Sequence, residues 1–146
     1  MTPISAEAPD LLVDTSVAVA LVVGDHTHHP AVIRALGGRR LGLAGHAAFE
    51  TFSVLTRLPA PNRRTPTQVR EILAANFPGS PFLSADRMAG LLDELADLGI
   101  AGGSVYDALV GATAVEHGLA LASLDRRALD TYRALGVDLE LIATGP

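Results

Sequence analysis

The patterned part of the chain begins with an unbroken apolar run, "LLV" at residues 11–13, which stops at Asp14 and resumes after two hydroxyl residues as "VAVALVV". Short apolar runs bounded by polar residues read as buried strands, and apolar positions three and four apart read as helices. "LLVD" is thus a strand ending at Asp14, followed by a helix from about Ser16 to Val23. The polar "GDHTHH" turns the chain into a helix opened by Pro30 and running to about Leu36. "RLGLAG" is a second strand, and "HAAFETFSVLTRL" a helix stopped by "PAPNRRTP". Two helical segments follow, near Thr67–Asn76 and Ser84–Leu98. "SVYDALVGATAVEHG" is another helix, closed by Gly118. "LALASL" is a strand, "DRRALDTYRALG" a helix and "VDLELI" a last strand.

Strands alternating with helices predict an α/β fold, a three-layer α/β/α sandwich around a central parallel sheet. The paired helices between Thr67 and Leu98 read as an inserted helical arm, about residues 59–98, protruding from one domain that spans 1–146. Residues 1–9 form an N-terminal extension. That stretch lacks a basic n-region, and Asp14 interrupts the long apolar segment near it, so neither a signal peptide nor a membrane span is expected, and a cytoplasmic location is the default.

The carboxylate of Asp14 conflicts with its apolar surroundings. A charge buried there costs several kcal/mol unless it is paired, hydrogen-bonded or bound to a metal. In an open parallel sheet, ligands sit beyond the carboxyl ends of the strands. Asp14 ends the first strand, and Asp125 follows "LALASL" in the same way, so the two can meet at one crevice. Glu50 is the lone acid on "AAFETFSVLTRL", and Ala47, Val54 and Leu58 share its helix face. Asp107 lies three residues after Ser104, a spacing that also suits a helix N-cap. Capping suits Asp125 in the same way and accounts least well for Asp14.

Composition narrows the chemistry. The chain has 146 residues and no cysteine, which removes disulfides and thiolate metal sites. All eleven basic residues are arginine. Without lysine there is no phosphate-binding loop of the Gly-Lys-Ser/Thr kind and no Schiff-base chemistry. The formal net charge is −5, so a nucleic-acid substrate would require a local arginine patch or bound cations. Asp86, Asp93, Glu94 and Asp97 read as a solvated helix face. His26, His28 and His29 have poor ligand spacing, and no role is assigned to them. Four converging carboxylates would repel one another and draw in Mg²⁺ or Mn²⁺, which prefer oxygen ligands. Such a centre beside a polyanion can activate water and clamp a phosphodiester.

The order "LLVDTSV", "HAAFETFSVLTRL", "SVYDALVGATAVEHG", "LASLDRRAL" resembles the PIN-domain family, most closely the VapC-type toxins of bacterial toxin–antitoxin pairs. The resemblance runs from about Leu11 to Ile142. It implies a Mg²⁺- or Mn²⁺-dependent endoribonuclease, with Asp14, Glu50, Asp107 and Asp125 as the catalytic and metal-binding quartet. Ser16 matches the small polar residue near the metal, and Ser123 stands where threonine is frequent. Arg126 and Arg127 replace a further acid that some members carry; with Ser16 and Ser123 they are candidates for substrate contact. The resemblance also implies a homodimer and a small antitoxin of VapB type. The antitoxin's C-terminal segment would cross the helices around "PAPNRRTP". Two other readings compete: a PIN-like protein-binding module without turnover, and a phosphotransfer enzyme with Asp14 as nucleophile, which the missing lysine disfavours.

Overall fold

The computed structural model describes residues 8–144; most of the expected N-terminal extension lies outside them. Four three-residue strands form one parallel sheet: β1 (Leu11–Val13), β2 (Leu41–Leu43), β3 (Leu121–Ser123) and β4 (Leu139–Leu141). Their spatial order is β2-β1-β3-β4, with Leu12 opposite Leu121 and Val13 opposite Ala122. Every residue of β1, β2 and β3 is buried, as expected of parallel strands covered on both faces. Leu11, Leu12 and Val13 are fully buried, each contributing roughly 1.5–3 kcal/mol of burial. That is enough to carry an adjoining carboxylate into the interior.

The helices are α1 (Thr15–Val22), α2 (His29–Leu36), α3 (His46–Thr56), α4 (Pro66–Asn76), α5 (Ala85–Leu98), α6 (Ser104–Glu116) and α7 (Leu129–Ala134). The steps from β1 to β2 and from β3 to β4 run in opposite directions across the sheet. Right-handed crossovers then put their helices on opposite faces, the three-layer arrangement that the strand–helix alternation predicts. The reversal between β1 and β3 is also the crevice where open α/β sheets bind ligands.

The two helices of the expected arm are present, but each packs chiefly on the body, α4 against α3 and α5 against α6. Leu55 of α3 and Val69 of α4 are buried together with Val23. The apolar stripes around "PAPNRRTP" are therefore largely spent on one another. Leu91 and Leu95 of α5 pack with Ala108 and Ala112 of α6 in a separate cluster.

Two glycines set the approach of elements around the crevice. Gly45, at φ 52°, starts α3 where an added Cβ would come within 2.7 Å of the Thr113 hydroxyl. Gly111 lets α6 lie against α7, for a Cβ there would meet Val137 at 3.0 Å and the Tyr132 ring at 3.1 Å.

Candidate active site

Asp14, Glu50, Asp107 and Asp125 line one cavity of about 220 Å³, together with Thr15, Ser16, Val110 and Tyr132. The four acids come from four places in the chain: the end of β1, the second turn of α3, the first turn of α6 and the loop after β3. No basic side chain lines the cavity.

Asp14 is 4% exposed and tightly held. The Ser16 hydroxyl donates to its Oδ1 at 2.5 Å, and the Val17 N–H to the same oxygen at 3.3 Å. The buried Tyr132 hydroxyl donates to Oδ2 at 2.9 Å. Burial pushes the Asp14 pKa up, while hydrogen bonds from Ser123, Ser16, Tyr132 and Val17 pull against it. Burial, and then the neighbouring Asp14 carboxylate, push the Tyr132 phenol well above its ordinary range. Tyr132 is thus a fixed hydrogen-bond donor, and Asp14 both caps α1 and faces the cavity.

Asp107 behaves differently from its sequence motif. Gly103, not Ser104, is the N-cap of α6, and no side-chain cap bond forms there. The helix starts one residue early, which places Ser104 inside it and leaves Asp107 free of capping. Its pKa is pushed up to about 6, first by burial and then by Asp125, Glu50 and Asp14. The Glu50 pKa is raised by burial and, among its charged neighbours, by Asp14; His46, with Nε2 at 3.9 Å, opposes the shift. Asp125 combines both roles, since its Oδ1 accepts from the Arg127 N–H at 2.9 Å while its side chain lines the cavity.

The hydroxyl and arginine candidates divide. Ser16 lines the cavity, and its Oγ also accepts from the Leu124 N–H at 3.0 Å, tying α1 to the end of β3. Ser123 does not fit its expected role in substrate contact: it is fully buried, and its Oγ accepts from the Asp125 N–H at 3.0 Å. It positions Asp14 and Asp125 instead. Arg126 is exposed outside the cavity lining. The side chain of Arg127 is 93% exposed, with its guanidinium 3.4 Å from Asp125. The histidines organise a turn: His26 Nδ1 accepts from the His28 N–H at 3.0 Å, and a His29 ring nitrogen pairs with the Ala20 carbonyl at 2.8 Å.

Sequence reasoning missed Thr15 and Tyr132. Tyr132 reads as an ordinary core residue of its helix, and nothing local pairs it with Asp14. The Thr15 hydroxyl is buried in the cavity wall without a hydrogen-bond partner at ordinary distance, though near enough to favour ionised Glu50. The lining offers carboxylate and hydroxyl oxygen without imidazole or thiolate, the donor chemistry of a hard divalent cation. Among the described residues, no three acidic or imidazole side chains are drawn in tightly enough to hold an ion by themselves. That openness suits an ion that keeps part of its water shell and shares substrate oxygens, as Mg²⁺ does.

The PIN domain family profile matches residues 11–134. Ribonuclease VapC27 of Mycobacterium tuberculosis (strain ATCC 25618 / H37Rv) is 45% identical over 135 residues, covering 92% of this chain and 98% of the relative. Ribonuclease VapC40 of Mycobacterium tuberculosis (strain CDC 1551 / Oshkosh) is 47% identical over 131 residues, 88% and 96% of the two chains. Among solved structures, VapBC2 from Rickettsia felis bound to a DNA fragment from their promoter superposes with a TM-score of 0.64 at 14% identity, covering 91% of this chain and 98% of that one. FitAcB from Neisseria gonorrhoeae gives 0.62 at 18% identity, covering 88% and 95%. At those identities the two structures speak for the fold alone.

Proposed function

The chain belongs to the PIN-domain family, in its VapC branch, and from that premise we propose how it works. The protein is a VapC-type ribonuclease, the toxin of a toxin–antitoxin pair, which hydrolyses RNA phosphodiesters internally with Mg²⁺ or Mn²⁺ at the four-carboxylate cavity. One observation carries this reading: four acids from four elements face one cavity that no cation of the protein lines, and the pKa values of three of them are raised. No observation favours the inactive binding module.

When bound, the divalent ion supplies positive charge that lowers the pKa of an attacking water and neutralises the scissile phosphate. Asp14 is the most rigid ligand, because donors on both carboxylate oxygens fix its orientation. Asp107 and Asp125 complete the acidic wall, and the Ser123 and Arg127 contacts hold Asp125. Glu50 joins the cavity lining from α3, half-buried with a raised pKa, as expected of a group that orients water and receives its proton. The products carry 5′-phosphate and 3′-hydroxyl ends.

The same reading brings a small antitoxin and a homodimer as protein partners. Phe49, Phe82 and Met88 are exposed around a small apolar pocket beside Gly45 and Leu109, and the Phe49 and Phe82 ring centroids lie 6.1 Å apart. Clustered exposed apolar side chains support a protein contact on that face. Among the described residues no helix is long and apolar enough to cross a membrane, and the site is assigned to the cytoplasm with its RNA substrate.

The test is cleavage of total cellular RNA by purified protein, with Mg²⁺ or Mn²⁺ and with EDTA, beside Asp14→Asn. Metal-dependent cutting that disappears in the variant is the expected result. Undiminished cutting by Asp14→Asn, or none by the wild type with either metal, overturns the reading.

A further inference from the structure

A second cavity, of about 280 Å³, opens beside the first and is lined by His46, Glu50, Ser53, Val54, Arg57 and Tyr106. Glu50 belongs to both, so the two are contiguous. Five of its six residues fall on one face of α3 at helical spacing; Tyr106 comes from the first turn of α6, next to Asp107. The rings of His46 and Tyr106 stack with centroids 5.0 Å apart and planes 19° from parallel. Tyr106 nevertheless remains 51% exposed. Ring surface of the pair is therefore accessible to solvent beside the cavity.

Arg57 lies at the far end of this cavity, roughly 10 Å from Glu50 along the helix axis. Its side chain is exposed and, among the described residues, makes no ion pair. A polyanion entering an acidic site on a chain of net charge −5 needs such a cation near the path. Ring surface for a base, a free guanidinium for a phosphate and hydroxyl edges between them are the parts of a single-strand binding subsite.

We propose that the His46–Tyr106 platform and Arg57 form a nucleotide subsite for single-stranded RNA, stacking an unpaired base beside the phosphodiester to be cut and holding a neighbouring phosphate. The proposal rests on the nuclease reading of the carboxylate cavity. It assigns Tyr106 and Arg57 to substrate positioning, outside the reacting atoms. Because every base has a stacking face, the subsite selects single strands over duplex and tolerates sequence.

The test measures binding of a short, labelled, single-stranded RNA of randomised sequence by fluorescence anisotropy at low salt, on an Asp14→Asn background that suppresses cutting. Tyr106→Ala is expected to weaken binding about tenfold, and Tyr106→Phe to keep it within about twofold. Arg57→Ala is expected to weaken binding and to reduce the slope of log affinity against log salt by about 0.7, the loss of one single-strand phosphate contact. Duplex RNA should bind all four proteins alike. Binding of the single strand by Tyr106→Ala and Arg57→Ala within about twofold of the parent overturns the subsite. Cleavage of total RNA by the corresponding single variants of the otherwise wild-type protein separates the two failures. If the wild type cuts and both variants cut equally well, the subsite alone falls; if the wild type does not cut, the nuclease reading falls with it.

Discussion

The two ends of the β-sheet treat carboxylates in opposite ways. At the amino end, Asp10 precedes β1 and Arg39 and Arg40 precede β2. There Arg40 holds the Asp10 carboxyl below its usual range, and Arg39 reaches Glu140 in the middle of β4, bonding it at 2.9 and 3.0 Å and doing the same for that side chain. At the carboxyl end, Asp14, Glu50 and Asp107 are all pushed upward by burial, Glu50 also by Asp14, and Asp107 also by Asp125, Glu50 and Asp14. The larger cavity near the amino end, about 410 Å³, is lined by one charged residue, Arg39, already paired with Glu140. The molecule gives up stability at the carboxyl end of the sheet, where burial raises the acids' pKa values. A chain with eleven arginines pairs Asp10 and Glu140 with Arg40 and Arg39, and sets only the exposed Arg127, beside Asp125, at the edge of the carboxylate cavity. Unneutralised acids in a crevice are the electrostatic form of a cation site.

That contrast breaks most sharply if the carboxyl-end acids are neutralised. Asp107→Asn is expected to lower RNA cleavage by at least about two orders of magnitude, yet to melt no lower than the wild type in EDTA. Activity assays beside thermal melting check both halves; a large loss of stability would show that Asp107 serves the fold.

Metal comes next in size. Mn²⁺ at about a hundred times its Kd should stabilise the wild type by about 2.7 kcal/mol. It should do much less for Asp107→Asn or Asp14→Asn. Equal shifts in melting temperature for all three proteins would place the ion elsewhere.

Acidity distinguishes the two ends by sign. Asp107 titrates near 6 in the fold against 3.8 ordinarily, so its protonated form stabilises the metal-free protein. That contribution is complete below about pH 4 and disappears as pH rises through about 6. Allowing for solvent screening of a half-exposed group, it amounts to about 1 kcal/mol. Glu140 has the reverse sign, because its lowered pKa gives stability that is present above the ordinary carboxylate pKa and lost as pH falls. Subtracting the melting profile of Asp107→Asn from that of the wild type in EDTA should leave a difference that declines between about pH 4 and 7. A flat difference would contradict the crowding of charge at the cavity.

The smallest effect belongs to the amino end. Arg39→Ala removes a surface pair with Glu140 and should cost less than about 1 kcal/mol while leaving RNA cleavage unchanged. A clear loss of activity there would mean that the two ends are coupled.

By itself the sequence determined what short-range chemistry controls. Unbroken apolar triplets mark the buried strands, helical spacing marks the helices, and a polar residue ending a buried strand marks the crevice. Asp14 and Glu50 stood out for that reason as acids among apolar neighbours, whereas Asp107 and Asp125 suit helix caps as well, and the family resemblance is what joined the four. Tertiary structure alone decided which residues support them. Tyr132 lies 118 positions from the aspartate it bonds. Tyr106 and His46 stack only because α3 and α6 meet at the tight approach of Gly45 to Thr113. Ser123 is enclosed by the strands beside it, and α4 and α5 part company because each has a different apolar partner on the body. Local pattern is written by residues a few positions apart, whereas these contacts depend on crossovers and close packing that bring distant segments together, which no window along the chain contains.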